Sequence, residues 1–303
     1  MDYYFSGNRQ TLVASRHKKT RGTGGIILGK QKMFTILELV KLFFVHTKLI
    51  AKTTLEYKFH RSLIAIAIFC REMISIVIMY LIMIRFVSIK GWDMNEMLFL
   101  YSFLFISYSL FVFVFAGIRD FDAMVQSGEL DRFLLRPLGL MYQVIASRAD
   151  FSATLGHGAV GVILLIKTAG SVGIEWNLRN IFAYIAVILG GTVIQASLFM
   201  VSSCFSFWTI NTTNMRNLIF FNARRFAAYP LSFYPGVIRY LLIFLLPFAF
   251  VNYFPSLYFL NKAEAPILWD WVPYLTPVVG ILVFCLVYIF WKFGLKHYSS
   301  VGN

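Results

Sequence analysis

Residues 117–140 read GIRDFDAMVQSGELDRFLLRPLGL, a charged stretch set between segments apolar enough to lie in a membrane. Its apolar residues fall at Phe121, Met124 and Val125 and again at Leu130, Phe133 and Leu134. Each set has the i, i+3, i+4 spacing that puts one apolar stripe along one helix face. Gly128 separates the two sets and Pro137 stops the second, so the spacing predicts two short helices with a turn between them. They would lie at a membrane surface, with Asp120, Asp122, Glu129, Asp131 and Arg132 available to a partner outside the bilayer.

The composition fixes the surroundings. Hydrophobic residues make up 59% of the 303 and charged residues only 14%, whereas a soluble domain carries about a quarter charged. A single soluble core is excluded. Runs of roughly 20 apolar residues, the length needed to cross about 30 Å of hydrocarbon as helix, occur near 63–84, 97–118, 142–166, 181–210, 237–254 and 271–293. Arg148, Asp150 and His157 interrupt the first half of the third. The fourth exceeds the bilayer, so it is expected to tilt, to bend at Gly190-Gly191, or to project into water.

Basic residues are distributed unevenly among the connections. The segment through Arg61, the stretches after the second and fourth runs, and Lys292 and Lys296 together hold 22 of the 28 Lys and Arg. The opposite side holds Arg85, Lys90, Lys167, Arg179 and Lys262. The excess of Lys and Arg on cytoplasmic loops then places both termini and the 117–140 insert in the cytoplasm. Membrane orientation and anionic lipid account for the net charge of +14 without nucleic acid as a partner.

Residues 1–33 read as a disordered basic arm, because RHKKTRGTGG has neither periodicity nor an apolar face. No cleavable leader is expected there, since Ile26-Ile27-Leu28 is far shorter than the apolar core of a signal peptide. From Phe34 to His60 the pattern turns helical, an interfacial helix leading into the first span. Gly24 to Lys30 fits G-x-x-x-x-G-K, the phosphate-cradling loop, but Gln31 follows where a Ser or Thr hydroxyl should hold magnesium. No strand precedes it, and the non-membrane segments are too short for a nucleotide-binding domain.

Other chemistry is sparse. The five histidines lack the i, i+4 spacing of a zinc-binding helix, so no metal site is expected. Cys70, Cys204 and Cys285 all fall in apolar runs and read as packing residues rather than a disulfide framework. Arg71 and Glu72 lie near the middle of the first span, where charge is costly, and mark a translocation path, a subunit interface or an internal ion pair with Asp150 or Arg148. Being neighbours on a helix they diverge by about 100° and are expected to seek separate partners. His157 reads as hydrogen-bonded to a neighbouring helix or as a further path residue. Between Tyr229 and Leu260, Pro230, Pro235, Pro247 and Pro255 imply a broken helix, with a re-entrant element or an irregular loop on the outer face.

On these residues the chain resembles a family. Six spans with cytoplasmic termini, an interfacial helix before the first, and a helical insert between the second and third are similar to the permease subunit of a type-2 ABC exporter. The stretches SGELD at 127–131 and LLRPL at 134–138, with YPL at 229–231, YPG at 234–236 and PFAFVNYFP at 247–255, resemble a subfamily known as a membrane domain of unassigned function. The likeness covers roughly residue 34 to the C-terminus. It implies an all-α integral membrane protein made of a basic arm (1–33) and a six-span transmembrane domain (34–303).

The resemblance further implies that the insert is the coupling element on which a separate ATPase subunit docks, through Phe121, Met124, Val125, Glu129, Leu130, Asp131, Arg132, Phe133 and Leu134. Arg71, Glu72 and His157 would line the path or the subunit interface. ATP and magnesium would bind in the partner, leaving this chain without cofactor or catalysis of its own. A second copy or a paralogous permease would complete the path in the cell membrane. A self-sufficient secondary transporter or channel, or a membrane-embedded enzyme using Glu72, Asp150 or His157, are the competing readings on physical grounds.

Overall fold

The computed structural model describes residues 36–86, 88–209, 212–262 and 271–298. Regular structure among them is helical apart from one isolated bridge, Ile89 with Trp92. The basic arm and the G-x-x-x-x-G-K stretch lie outside the described residues.

Helix α1 (Ile36–Glu56) leaves Leu37, Val40, Phe44 and Leu49 uncovered, as expected of a helix lying on a membrane. Tyr57, at φ −106° and ψ 34°, breaks it from α2 (Lys58–Met83). Along α2, Ile66, Ile74, Ile78 and Leu81 are also bare, so most of that helix faces lipid or another chain. The centre of the bundle is α3 (Met94–Val114), which buries Phe99, Phe103 and Phe111 completely. Its start is fixed by a reciprocal cap: Asp93 accepts from the Glu96 N–H, and Glu96 accepts from the Asp93 N–H, both at 2.8 Å.

Phe115, at φ −114°, ends α3, so Gly117 and Ile118 belong to the insert and not to the second span. The insert comprises α4 (Ala116–Arg119), α5 (Phe121–Gln126), α6 (Glu129–Leu134) and α7 (Leu140–Ala146). The third span therefore starts late. The expected run 142–166 is divided: its first residues form α7, and α8 (Phe151–Ala169) begins only after Asp150, whose side chain caps it through the Ala153 N–H at 3.0 Å. Charge at Arg148 and Asp150 is thereby kept outside the helix. Glycines let α8 wedge into the bundle, since a Cβ on Gly156 would press on Ile68 and the Ala65 carbonyl, and one on Gly161 on Ile106.

Helix α9 (Leu178–Cys204) runs unbroken through Gly190-Gly191 and passes into a 3₁₀ turn, Phe205–Phe207. Of the tilt, bend or projection expected for this run, no break in the helix occurs at the glycines, which serve packing instead. At Gly190 the α9 backbone lies directly against Thr276 and Pro277, and at Gly280 the C-terminal helix α14 (Val272–Lys296) returns the contact to the Gly190 carbonyl. Deep in the core Gln195 donates to the Ser107 hydroxyl at 2.7 Å and Thr192 to the Ser107 carbonyl at 3.1 Å, joining α9 to α3.

The largest departure from the sequence reading concerns the expected fifth span and the segment before it. A continuous helix comprises α10 (Thr213–Arg216), a π-helical stretch Asn217–Asn222 and α11 (Ala223–Ala227). Thr212, just before it, donates to Asp122 in the insert. Phe220 lies 6.2 Å from Phe111, Arg224 covers Tyr108, and Tyr229 meets Tyr101. Ser232 then accepts from Lys90 beyond the start of α3. Step by step the segment runs antiparallel to α3 from the insert end of the bundle to the far end.

The run expected to cross, 237–254, instead forms α12 (Gly236–Tyr240), a π turn (Leu241–Leu245), a 3₁₀ turn (Phe248–Phe250) and α13 (Tyr253–Phe259). Its two arms, Gly236–Leu245 and Phe248–Phe259, are bent by 78°. Lys262, beyond the second arm, bonds the Gly91 carbonyl at 2.6 Å and Glu96 at 2.8 Å, beside the Lys90 that holds Ser232. The pair therefore enters and leaves at one end, a re-entrant element. Five other helices, α2, α3, α8, the stretch Leu178–Phe207 and Pro273–Lys296, are long and apolar enough to span a membrane.

Candidate functional site

Each piece of the insert has a local cause. Gly128 carries φ +69°, the left-handed conformation that ends one helix and starts the next, as the spacing predicts. Gly117 serves a different need: α4 crosses α7 so closely that the Val144 carbonyl occupies the place of a Cβ. Gln143 donates to the carbonyls of Phe133 and Leu138 at 3.0 and 2.8 Å, satisfying the open end of α6.

The apolar stripes have the expected period but face the bundle. Phe121, Met124, Val125, Leu130 and Phe133 are all buried, and Leu134 is half-buried. Phe121 packs on Phe207 and Trp291, the ends of α9 and α14. The acidic residues expected to await a partner are also engaged within the chain. Asp150, Arg119, Asp120, Arg148 and Glu129 form one alternating series, with Arg119 at 2.8 Å from both Asp150 and Asp120 and Arg148 at 2.9 Å from Glu129 and 3.5 Å from Asp120. Burial works against the Arg119 charge, but the hydrogen bonds it donates to Asp120 and Asp150, with their charges, outweigh it and hold its pKa above the ordinary arginine range.

Asp122 is buried and accepts from Thr212 at 3.0 Å and Arg216 at 3.2 Å, tying the insert to the start of α10. Asp131 accepts from the Tyr298 hydroxyl at 3.1 Å, and burial, then the Asp131 charge, push that phenol up to about 12. Ser203 of α9 donates to the Ile118 carbonyl at 2.9 Å, and Tyr142 of α7 to the Leu39 carbonyl of α1 at 3.0 Å. The insert is thus fastened to α1, α8, α9, α10 and the chain beyond α14. What it turns outward is a ridge containing Ala123, Arg132, Leu135, Arg136 and Pro137, on which Leu135 is 87% exposed.

The polar residues inside the bundle are brought together, with one correction. Arg71 and Glu72 do pair with each other, Arg71 Nη2 and Nε lying 2.7 and 3.0 Å from Glu72 Oε1. Their Cβ atoms diverge, but the long arginine side chain curls back around the helix, leaving Arg71 exposed and Glu72 buried. Neither Asp150 nor Arg148 takes part. His157 stands 3.6 Å from Glu72 and edge-on to Tyr108, and its Nδ1 has no hydrogen-bond partner among the described residues. Among the described residues no group of three or more His, Cys, Asp or Glu could hold a metal ion.

Gly117, Asp122 with Arg216, Ser203 and Tyr298 were not singled out by spacing or motif. Asp122 was visible only as one more charge, and nothing local in the sequence shows that Arg216, 94 residues later, returns to it.

A family model, described as ABC-2 family transporter protein, matches residues 69–302. The chain belongs to the ABC-2 transporter family. The match runs from within α2 through the whole insert and all later helices, and begins after α1. No curated protein and no solved structure matches the chain. As a member of the ABC-2 family it is a multi-pass membrane protein, the permease component of an ABC transporter and not itself the catalytic one. Membership implies association with an ABC ATPase in general.

Proposed function

We propose that the chain is one half of the translocation path of an ATP-driven exporter in the cell membrane, and that the 117–140 insert docks a separate ATPase subunit that binds the ATP and magnesium. The observation that carries the reading is the way the insert is fastened. Ion pairs and hydrogen bonds join it to the ends of α1, α8, α9 and α10 and to Tyr298, so a force applied to its outer ridge reaches those helices together. Discrete packed arrangements of this kind transmit displacement rather than absorb it.

Six crossings, α2, α3, α8, α9, the 213–233 segment and α14, return the chain to the side from which it started. Arg224, Arg225 and Arg239 leave the loop in which the sequence placed them, yet the remaining Lys and Arg still favour the insert side, and the insert and both termini are cytoplasmic in this reading. The docking ridge consists of Arg132, Leu135, Arg136 and Pro137, with Glu129 and Asp131 behind it. A second copy or a paralogous permease completes the path.

The test is isolation of the tagged full chain from its native membrane, followed by identification of bound proteins. Recovery of a nucleotide-binding ATPase, with or without a second permease, is expected. Solute transport by the purified chain alone in liposomes, driven by an ion gradient and without ATP, overturns the reading.

A further inference from the structure

Arg224 lies halfway along the fifth crossing, its guanidinium 4.5 Å from the Tyr108 ring centre and 5.3 Å from that of Phe105. Both rings belong to the middle of α3, so the charge is far from either end of the bundle. The aromatic faces satisfy only part of what a guanidinium requires. Its Nε and Nη2 are buried and have no hydrogen-bond partner among the described residues. An arginine at this depth with open donors is costly unless something accepts from it.

The space beside it is a cavity of about 330 Å³ lined by Glu72, Ser75, Ile78, Leu104, Arg224 and Arg225, among others. It opens along the uncovered face of α2, where Ser75 and Ile78 are exposed. Glu72 does not balance the arginines, because its carboxylate is already held by Arg71 at 2.7 Å. The unmatched charge in the cavity is positive, and the wall next to it is apolar.

We propose that this cavity binds the anionic head, phosphate or carboxylate, of an amphipathic molecule that enters beside α2. A turn of the Arg224 side chain toward the cavity brings Nε and Nη2, enclosed in the empty site, to the ligand as a planar fork, the arrangement that suits a two-oxygen anion. Arg225 adds charge at the mouth, and the apolar tail lies along Ile78 and Leu104. The π-helical stretch Asn217–Asn222 immediately before Arg224 is a feature that recurs near functional sites in helices.

The test uses the full-length chain in phosphatidylcholine nanodiscs without any ATPase, so it is independent of the docking reading. Radiolabelled dodecyl phosphate is the probe. Saturable binding at least about tenfold tighter than that of dodecyltrimethylammonium is expected, with a loss of about tenfold or more in Arg224→Gln and an intermediate loss in Arg224→Lys, which keeps the charge but not the fork. Ser75→Trp, which fills the mouth, is expected to block the probe. Phosphatidylglycerol added to the nanodisc distinguishes the sources: competition identifies a lipid headgroup, and unchanged binding identifies a free amphiphile, each consistent with the site. Equal or stronger binding of the cation to the parent protein overturns the proposal even if Arg224→Gln fails to fold. Unchanged affinity in Arg224→Gln, or displacement of the probe by inorganic phosphate at comparable concentration, does so as well.

Discussion

Arg119 and Asp150 meet at 2.8 Å across the junction between the insert and α8. Asp150 has a second duty as the cap of α8, through its other oxygen. Asp150→Asn separates the two, since asparagine caps a helix as well as aspartate does. The expected result is a loss of about 1 kcal/mol, typical of a partly exposed pair, seen as a lower melting temperature in detergent. Raising the salt should narrow the gap between variant and parent. An equal gap at low and high salt would show that the contact is not electrostatic.

Two glycines in the insert are required for opposite reasons, and alanine distinguishes them. At Gly117 the obstacle is the Val144 carbonyl, backbone that cannot swing away, so Gly117→Ala should force α4 and α7 apart at a cost of about 2–3 kcal/mol. At Gly128 a Cβ finds nothing nearer than Asp131 at 4.0 Å, and Gly128→Ala should lose only the price of the left-handed backbone, about 1 kcal/mol. Gly128→Asn should lose less still, because asparagine tolerates that conformation. Thermal melts of the three variants check the order, and a Gly128→Ala as damaging as Gly117→Ala would refute it.

Leu130 and Leu135 distinguish folding from docking. Leu130 is fully buried and Leu135 is 87% exposed. Leu130→Asp places a charge in the core and should abolish stable protein. Leu135→Asp should leave the melting temperature within about 1 °C of the parent, as surface changes generally do, while weakening capture of the ATPase by about tenfold or more, the effect of losing an interface anchor. Co-purification of the ATPase with Leu135→Asp at parental yield would remove the ridge from the docking surface.

What the sequence disclosed and what it concealed follow from how each residue meets its environment. Period and turn residues showed the paired helices of the insert, and Gly128 stood where the turn is. The direction of their apolar stripe was not legible, because an amphipathic helix looks the same whether it faces its own bundle or a partner. Arg224 and Arg225 made the 213–233 segment read as a loop, whereas the 237–254 run, more apolar, read as a span. Hydropathy judges a residue by its transfer to hydrocarbon, and Arg224 meets instead the faces of Tyr108 and Phe105. Gly190-Gly191 read as a flexible point, but the significance of Gly190 lies in Pro277 of a helix far along the chain.

The re-entrant pair makes a topological prediction that differs from the one hydropathy alone supports. If 237–254 crossed the membrane, residues 236 and 261 would lie on opposite sides. The contacts of Ser232 with Lys90 and of Lys262 with Gly91 put them on the same side, with Asn214 on the other. Cysteine labelling in sealed vesicles discriminates the two arrangements. The natural cysteines are first replaced by serine, and Gly236→Cys, Asn261→Cys and Asn214→Cys are introduced singly, all at exposed positions. A membrane-impermeant maleimide should label the first two from one side and the third only after the vesicles are opened or inverted. Labelling of Gly236→Cys together with Asn214→Cys, and not with Asn261→Cys, would restore 237–254 as the crossing and return Arg224 to a loop.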